Sequence, residues 1–339
     1  MVSMLSNQED IERKTLLILR ILHEAGGPLG SRLIARRMQE KGLMPSERAV
    51  RYHLKLMDER GVTRLVGKKD GRLITPLGID ELGKARVRDK VGLAISRIEI
   101  LAFKTTFDPE MRKGLLPINI SFISETSFPY ALKIMQPVFA SGFAVSNLVA
   151  AAHGGQYLGG VLVPVGKIGF ATVCSIVVNG VLLKYGIPMD SKFGGILQMK
   201  SGQPLRFVEL IHYSGSSLDP SEIFIRGKMT SVFHAIEKGE GMILANFREI
   251  PAPCCPLTLD LMARLEKAGI NGVLAMGKVS EPVCQIPVEI NKVGIILIGG
   301  LNPSACVQEA ALEVEHMAMS TVLDYGMLEP FDALMKRMS

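Results

Sequence analysis

Pro45-Ser-Glu-Arg-Ala-Val-Arg-Tyr-His-Leu-Lys-Leu-Met-Asp-Glu-Arg60 reads as a helix with two unlike faces. Val50, Leu54 and Met57 recur at i, i+4 and i+7 and form an apolar stripe, while Arg48, Arg51, Tyr52 and Lys55 recur at helical spacing on the other side. Ser46, just ahead, can cap the free N–H groups of the first turn. An exposed stripe of two Arg, a Tyr and a Lys suits a DNA major groove. An Arg fork holds guanine O6 and N7 bidentately, and Lys and Tyr take phosphates. Ser46, Arg48, Arg51, Tyr52 and Lys55 are therefore candidate DNA-contacting residues.

Working outward from that helix, Asn7 to Ala25 is predicted as an amphipathic helix with Ile11, Ile18, Leu22 and Ala25 on its apolar face, ended by Gly26-Gly27-Pro28. A second short helix spans Ser31 to Glu40. Behind the third helix, Val62 to Val66 and Arg72 to Thr75 are short strands around the tip Gly67-Lys-Lys-Asp-Gly71, a hairpin wing whose Lys68 and Lys69 could lie along a phosphate backbone. Three helices followed by a basic hairpin make a winged helix-turn-helix in residues 1–86. Some winged helices bind RNA or protein instead.

Charge supports the same assignment. Residues 1–90 hold 19 Lys and Arg against 12 Asp and Glu, a net of +7, and the other 249 residues are at −1. A localised excess is what a phosphate-facing module needs, because neutralising phosphates releases counterions. A solvated basic face would show the same net charge.

After a short helix over Pro76 to Val87, the run Lys84-Ala-Arg-Val-Arg-Asp-Lys90 marks a boundary, and residues 90–339 change character. They alternate short apolar runs (Ile118 to Ile123, Gly160 to Val165, Val293 to Ile298) with helix-like stretches, the pattern of a mixed α/β effector domain. The domain also matches itself at an offset near 125 residues. Ile118–Phe122 pairs with Ile243–Phe247, Ser141–Phe143 with Ala268–Ile270, and Lys167–Phe170 with Lys292–Ile295, while Tyr213 through Pro220 echoes Tyr325 through Pro330. Two pseudo-repeats follow, at about 115–225 and 240–335, the first carrying an insertion around Ser191 to Phe207.

Other classes are disfavoured. The longest uncharged apolar stretch, Ile168 to Leu183, has 16 residues, short of the roughly 20 a membrane span needs. The N-terminus lacks a basic and apolar leader, so a cytoplasmic protein without membrane attachment is expected. Five cysteines without a C-x-x-C pair, and six scattered histidines, offer no disulfide framework and no zinc-ligand spacing. No Walker loop, G-x-S-x-G or H-E-x-x-H occurs, so no catalytic residue, metal or cofactor is assigned and the chain is expected not to be an enzyme. An enzyme targeted by a winged helix is the rival reading, alongside an RNA-binding protein.

Within the effector domain, Thr172, Cys174, Ser175 and Asn179 follow an apolar strand and open a helix, where unpaired N–H groups suit a carboxylate. Gly299, Gly300 and Asn302 are their counterparts in the second repeat; glycines here would also serve a plain tight turn. Lys167, Lys184 and Arg206 are the nearest basic residues in sequence. Cys174 reads as a small core residue rather than a nucleophile.

The chain resembles the archaeal nitrogen regulatory repressors called NrpR. The matching stretches are Pro45–Leu54, Gly180-Val-Leu-Leu-Lys-Tyr-Gly-Ile-Pro188 with Phe193-Gly194-Gly195, Ser217-Leu-Asp-Pro220 and Gly299-Gly-Leu-Asn-Pro303, spread over nearly the whole length. The resemblance implies a homodimer that represses nitrogen-assimilation genes from an inverted-repeat operator in double-stranded DNA and lets go when the small-molecule effector 2-oxoglutarate accumulates. One effector domain is present where some members carry two. Whether the chain represses alone or with a separate sensor-only co-repressor is left open.

Overall fold

A computed structural model of the 339-residue chain describes residues 2–41, 43–67, 70–84 and 92–338. The chain divides into two compact units, Met1–Lys90 and Val91–Ser339.

The first unit is a winged helix: α1 (Val2–Ala25), α2 (Ser31–Glu40), α3 (Glu47–Glu59), the strands β1 (Thr63–Gly67) and β2 (Gly71–Ile74), and α4 (Pro76–Lys84). Its core is Ile18, Leu22, Ile34, Val50, Leu54 and Met57, with Leu19 and Ile21 also buried. Helix α1 begins five residues earlier than its periodicity predicts. Ile11, which its spacing assigns to the apolar face, is 41% exposed, whereas Ile18 and Leu22 are buried. The wing is tied to α3 by one carboxylate: Asp58 accepts from Thr63 Oγ1 at 2.6 Å and pairs with Arg72 Nε at 2.6 Å.

The second unit is mixed α/β. Its elements run α5 (Leu93–Lys104), β3 (Leu115–Ser124), α6 (Phe128–Ala140), β4 (Leu148–His153), β5 (Tyr157–Leu158), β6 (Val161–Leu162), β7 (Lys167–Val173), α7 (Ile176–Lys184), β8 (Asp190–Lys200), β9 (Gln203–His212), a 3₁₀ turn at Tyr213–Gly215, and α8 (Pro220–Arg226). Then come α9 (Val232–Lys238), β10 (Gly241–Pro251), α10 (Cys255–Lys267), β11 (Val273–Val279), β12 (Lys292–Ile298), α11 (Asn302–Glu309), β13 (Val314–Asp324), a 3₁₀ turn at Tyr325–Met327, β14 (Glu329–Pro330) and α12 (Phe331–Met338). Gly160–Val165 is not one strand: Gly159 and Gly160 take φ of +58° and +82°, and only Val161–Leu162 is extended. The apolar stretch Ile168 to Leu183 is a buried strand followed by a buried helix, β7 and α7, broken at Cys174-Ser175.

Two five-stranded sheets have the orders β13-β3-β7-β4-β14 and β11-β12-β10-β8-β9, with antiparallel neighbours throughout. Each sheet borrows a strand. After α7 the chain crosses to pair β8 with β10, and after α11 it crosses back to pair β13 with β3. Neither half can therefore close its sheet alone, and the ends of β7 and β12 are brought against each other.

The borrowed strand β8 is pinned at its start by a charge cluster. Lys192 lies 2.7 Å from Asp190 and 3.2 Å from Glu249 and also pairs with Glu289; Lys292 lies 2.6 Å from Glu289, 3.2 Å from Asp190 and 3.4 Å from Glu249. The three carboxylates come within 4.8 Å of one another, a spacing a metal could use. Two ammonium groups already stand among them, so the cluster is an ion-pair network that joins β8, β10 and β12.

Candidate functional site

On α3, the side chains of Arg48, Arg51, Tyr52 and Lys55 are exposed while Val50, Leu54 and Met57 are buried, as the periodicity requires. Arg51 lies 3.7 Å from Glu47 and Lys55 3.9 Å from Glu59, exposed i,i+4 pairs worth only a few tenths of a kcal/mol. Releasing either cation toward a phosphate therefore costs little. Ser46 Oγ accepts from Ala49 N at 3.2 Å, so this side chain is occupied as the helix cap. Lys68 and Lys69 lie outside the described residues.

In the second unit, the two glycine- and serine-bearing segments meet. Thr172 Oγ1 donates to Gly300 O at 2.8 Å across the two halves, and Asn246 Nδ2 donates to Ser175 Oγ at 3.2 Å. Between them is a narrow cleft of about 20 Å³, lined by Asn119, Cys174, Ser175, Ile176, Tyr213, Asp219, Ser221, Asn246, Arg248, Gly300, Leu301, Ala318 and Met319. Gly300 has to be glycine here, because a Cβ would stand 2.4 Å from Asn119 Nδ2 and 2.7 Å from Val173 O. Of the sequence candidates, Cys174, Ser175 and Gly300 line this space. Thr172, Asn179, Gly299 and Asn302 are buried or packed behind it. Asn179 donates to Ser191 Oγ at 3.0 Å, and Gly299 N donates to Leu244 O at 2.8 Å. Asn302 clamps Leu244, accepting from its N at 2.8 Å and donating to its O at 3.1 Å.

The basic residue at the cleft is Arg248, which sequence proximity did not pick out. It is 1% exposed, its guanidinium carbon sits 4.7 Å over the Tyr213 ring, Nη1 reaches Phe247 O at 3.4 Å, and Nε has no partner. Lys167 instead pairs with Glu315 at 2.9 Å, Lys184 bonds Phe103 O at 3.1 Å, and Arg206 lies exposed on β9 beside Gln198. The residues around Arg248 are tied together. Tyr213 Oη donates to Asn246 Oδ1, and Asp219 caps α8 by accepting from Ser221 N at 2.8 Å. Burial raises the pKa of Asp219 above the usual carboxylate range, against hydrogen bonds from Ser221. Burial likewise pushes the Cys174 thiol up to about 12, so it is not a nucleophile at neutral pH.

Two helix N-termini complete the site. The caps of α7 (Ser175) and α11 (Leu301) face the cleft and neither makes a side-chain cap bond. Met319, at the irregularity of β13, takes φ of +47° and donates its N–H to Asn119 Oδ1 at 3.0 Å. A buried guanidinium with a spare donor and two helix N-termini thus line one cleft, together with the buried carboxyl of Asp219.

The family model described as NrpR regulatory domains NRD1 and 2 matches residues 91–330. The chain belongs to the NrpR family. It is 41% identical over 315 residues to the global nitrogen regulator NrpRI of Methanosarcina mazei, covering 93% of this chain and 97% of that one. It is 34% identical over 318 residues to the global nitrogen regulator NrpR of Methanocaldococcus jannaschii, covering 93% of this chain but 54% of that longer one. A crystal structure of a nitrogen repressor-like protein from Methanococcus jannaschii superposes with a TM-score of 0.60 at 26% identity, covering 71% of this chain and 99% of that chain. The NrpR-type unit is preceded by residues 16–82, which match a model described as the Ribonuclease R winged-helix domain. The relatives are regulators by name, and no described helix is long and apolar enough to cross a membrane.

Proposed function

We propose that this NrpR-family chain is a homodimeric, DNA-binding repressor of nitrogen-assimilation genes whose α3 reads an inverted-repeat operator and whose cleft takes the effector 2-oxoglutarate. The observation that carries the effector half is Arg248, buried with an unpartnered Nε in a cleft between two halves. One carboxylate of 2-oxoglutarate would take the guanidinium, and the other the N-termini of α7 and α11. Placing the ligand between the halves lets closure act on the spacing of two DNA-binding heads, which a palindromic site sets at about 34 Å or a multiple.

We further read the effector unit as two pseudo-repeats. What supports this is the recurrent order strand–helix–strand–strand–helix–strand and the sheet order, where β13-β3-β7-β4 runs as β8-β10-β12-β11 does. In these registers Asn119 lies opposite Thr172, and Asn246 opposite Leu297. Asn119 thus aligns with Asn246, both at the cleft, and the match of Ile118–Phe122 with Ile243–Phe247 is two residues out of step. Since β8 has a counterpart in β13, the strand added after it in the first repeat is β9, Gln203–His212, on this reading, and the insertion shifts there from Ser191–Phe207.

Repression by release requires reciprocity: DNA must weaken effector binding by the factor by which effector weakens DNA binding. Calorimetric titration of 2-oxoglutarate into free and operator-bound protein is expected to show affinities that differ by roughly 5- to 150-fold. Equal affinities, or no binding in either state, would remove 2-oxoglutarate as the effector.

For the DNA half, Arg48→Ala and Arg51→Ala are each expected to cost about 1–3 kcal/mol on the cognate operator and little on random duplex. Lys68→Ala and Lys69→Ala should weaken all sequences alike, with the salt slope falling by about one per phosphate contact. Retention of operator preference and salt slope in all four variants would contradict the assigned roles of α3 and the wing. The Ribonuclease R likeness of residues 16–82 favours one second reading, an RNA-binding head. Competition between duplex DNA and structured RNA for the full chain separates the two.

A further inference from the structure

The added strand β9 lies at the end of its sheet, bonded to β8 on one side only. Among the described residues, no other segment makes a backbone hydrogen bond to positions 205–212. Leu205, Val208 and Leu210 are 37–42% exposed along it. An edge this long, with open N–H and C=O groups and apolar side chains in water, is a template for pairing with another strand.

Its charges indicate which strand. The β8 pairing has irregularities at Ile196/Leu197 and Gln198/Met199 that leave Val208 and Leu205 without partners. Glu209 lies opposite Ile196 and Arg206 opposite Gln198, so the bulge at Val208 puts Arg206 and Glu209 on one face of β9, with Phe207 and Leu210, opposite Leu197 and Gly195, on the other. With Val208 bulged out in both copies, as it is against β8, an antiparallel two-fold pairing of β9 with itself centred at Phe207 sets each Arg206 opposite Glu209 of the second copy. Both ion pairs form at once, and a C2 contact demands this self-complementarity. Pro204, which has no N–H to donate, falls at the start of the strand, outside the central pairs.

We infer that β9 is the dimerisation edge of the effector unit, where two copies of this chain join their β8–β9 sheets into one continuous sheet. This rests on the homodimer reading above and adds its surface. It gives the first repeat's extra strand a role, and it makes the strand next to β8, itself borrowed into the sheet beside the cleft, part of the dimer.

The test is a charge-reversal set in the full chain, followed by sedimentation over a concentration series, with thermal melts to confirm folding. Arg206→Glu and Glu209→Arg place like charges opposite each other twice per dimer, and each is expected to raise the dimer dissociation constant by roughly tenfold or more. The double variant Arg206→Glu/Glu209→Arg restores opposite charges and is expected to return to near the parent value. Val208 cross-linking supplies a second readout: Val208→Cys should form an intermolecular disulfide under mild oxidation. Folded single variants that dimerise like the parent, without Val208→Cys cross-linking, would overturn β9 as the surface while leaving the homodimer intact. A parent chain that stays monomeric throughout would overturn the homodimer reading itself.

Discussion

Arg248→Met is expected to leave the protein folded and able to hold its operator, yet blind to 2-oxoglutarate. Truncating one partner of a buried, hydrogen-bonded charge pair costs on the order of 2–5 kcal/mol in ligand binding, or roughly 30-fold to several-thousand-fold. Methionine fills a similar volume and removes a buried charge whose Nε has no hydrogen-bond partner. The variant relieves the desolvation of Arg248 but takes a favourable charge away from buried Asp219, so the free protein is expected to stay folded with a modest loss of stability. Arg248→Lys keeps the charge but loses the planar fork and the stacking on Tyr213, and is expected to recover only part of the affinity. Operator binding measured with and without effector, beside a thermal melt, checks all of this. A variant still released by 2-oxoglutarate at parent concentrations would move the effector site elsewhere.

Glu249→Ala is expected to give the largest loss of stability of any single change in the charge cluster at the start of β8, about 3 kcal/mol. Its side chain is 2% exposed, and it faces Lys192 and Lys292, each about a quarter exposed or less, so water cannot replace the lost carboxylate fully. It also accepts the Glu289 N–H at 3.1 Å. Calorimetric unfolding of the variant against the parent reads this directly, and an unchanged transition would show the network to be ornamental.

The same cluster sets a pH window. Hydrogen bonds from Lys192 and Lys292 hold the Glu289 carboxyl at about 2, below its ordinary 4.5. Burial alone would raise Asp190, but the same two lysines outweigh it and bring it below 3.8. The unfolded carboxylates take up protons first, so this stabilisation is complete above about 4.5 and is lost as pH falls toward 2. Lys292 is raised above 10.5, chiefly by its bond to Glu289, so its share is present below 10.5 and lost as pH rises beyond it.

Much of the architecture is written locally. The spacing of Val50, Leu54 and Met57, the Ser46 cap and the Gly67–Gly71 tip act within a few residues, so they specify α3 and the wing without reference to anything distant. The same holds for the stripe of Arg48, Arg51, Tyr52 and Lys55, since helical phase alone separates an exposed face from a buried one. The small-residue segments at Cys174-Ser175 and Gly299-Gly300 could also be found, because a strand turning tightly into a helix leaves its mark in composition.

Only the tertiary structure decided which charge serves them. Arg248 sits in the run Leu244-Ala-Asn-Phe-Arg-Glu-Ile250, and a charged pair, Arg248-Glu249, inside a strand buried on both faces is the one signal available in the sequence. Nearness in sequence favoured Lys167, Lys184 and Arg206 instead. What brings Asn246 to Ser175, 71 residues away, and Met319 to Asn119, 200 away, is the exchange of β8 and β13 between the sheets. Backbone pairing between distant strands leaves no periodic trace in the chain, whereas helices, caps and turns arise from neighbours a few residues apart. The winged helix was therefore legible from the residues, and the cleft was not until the strands were paired.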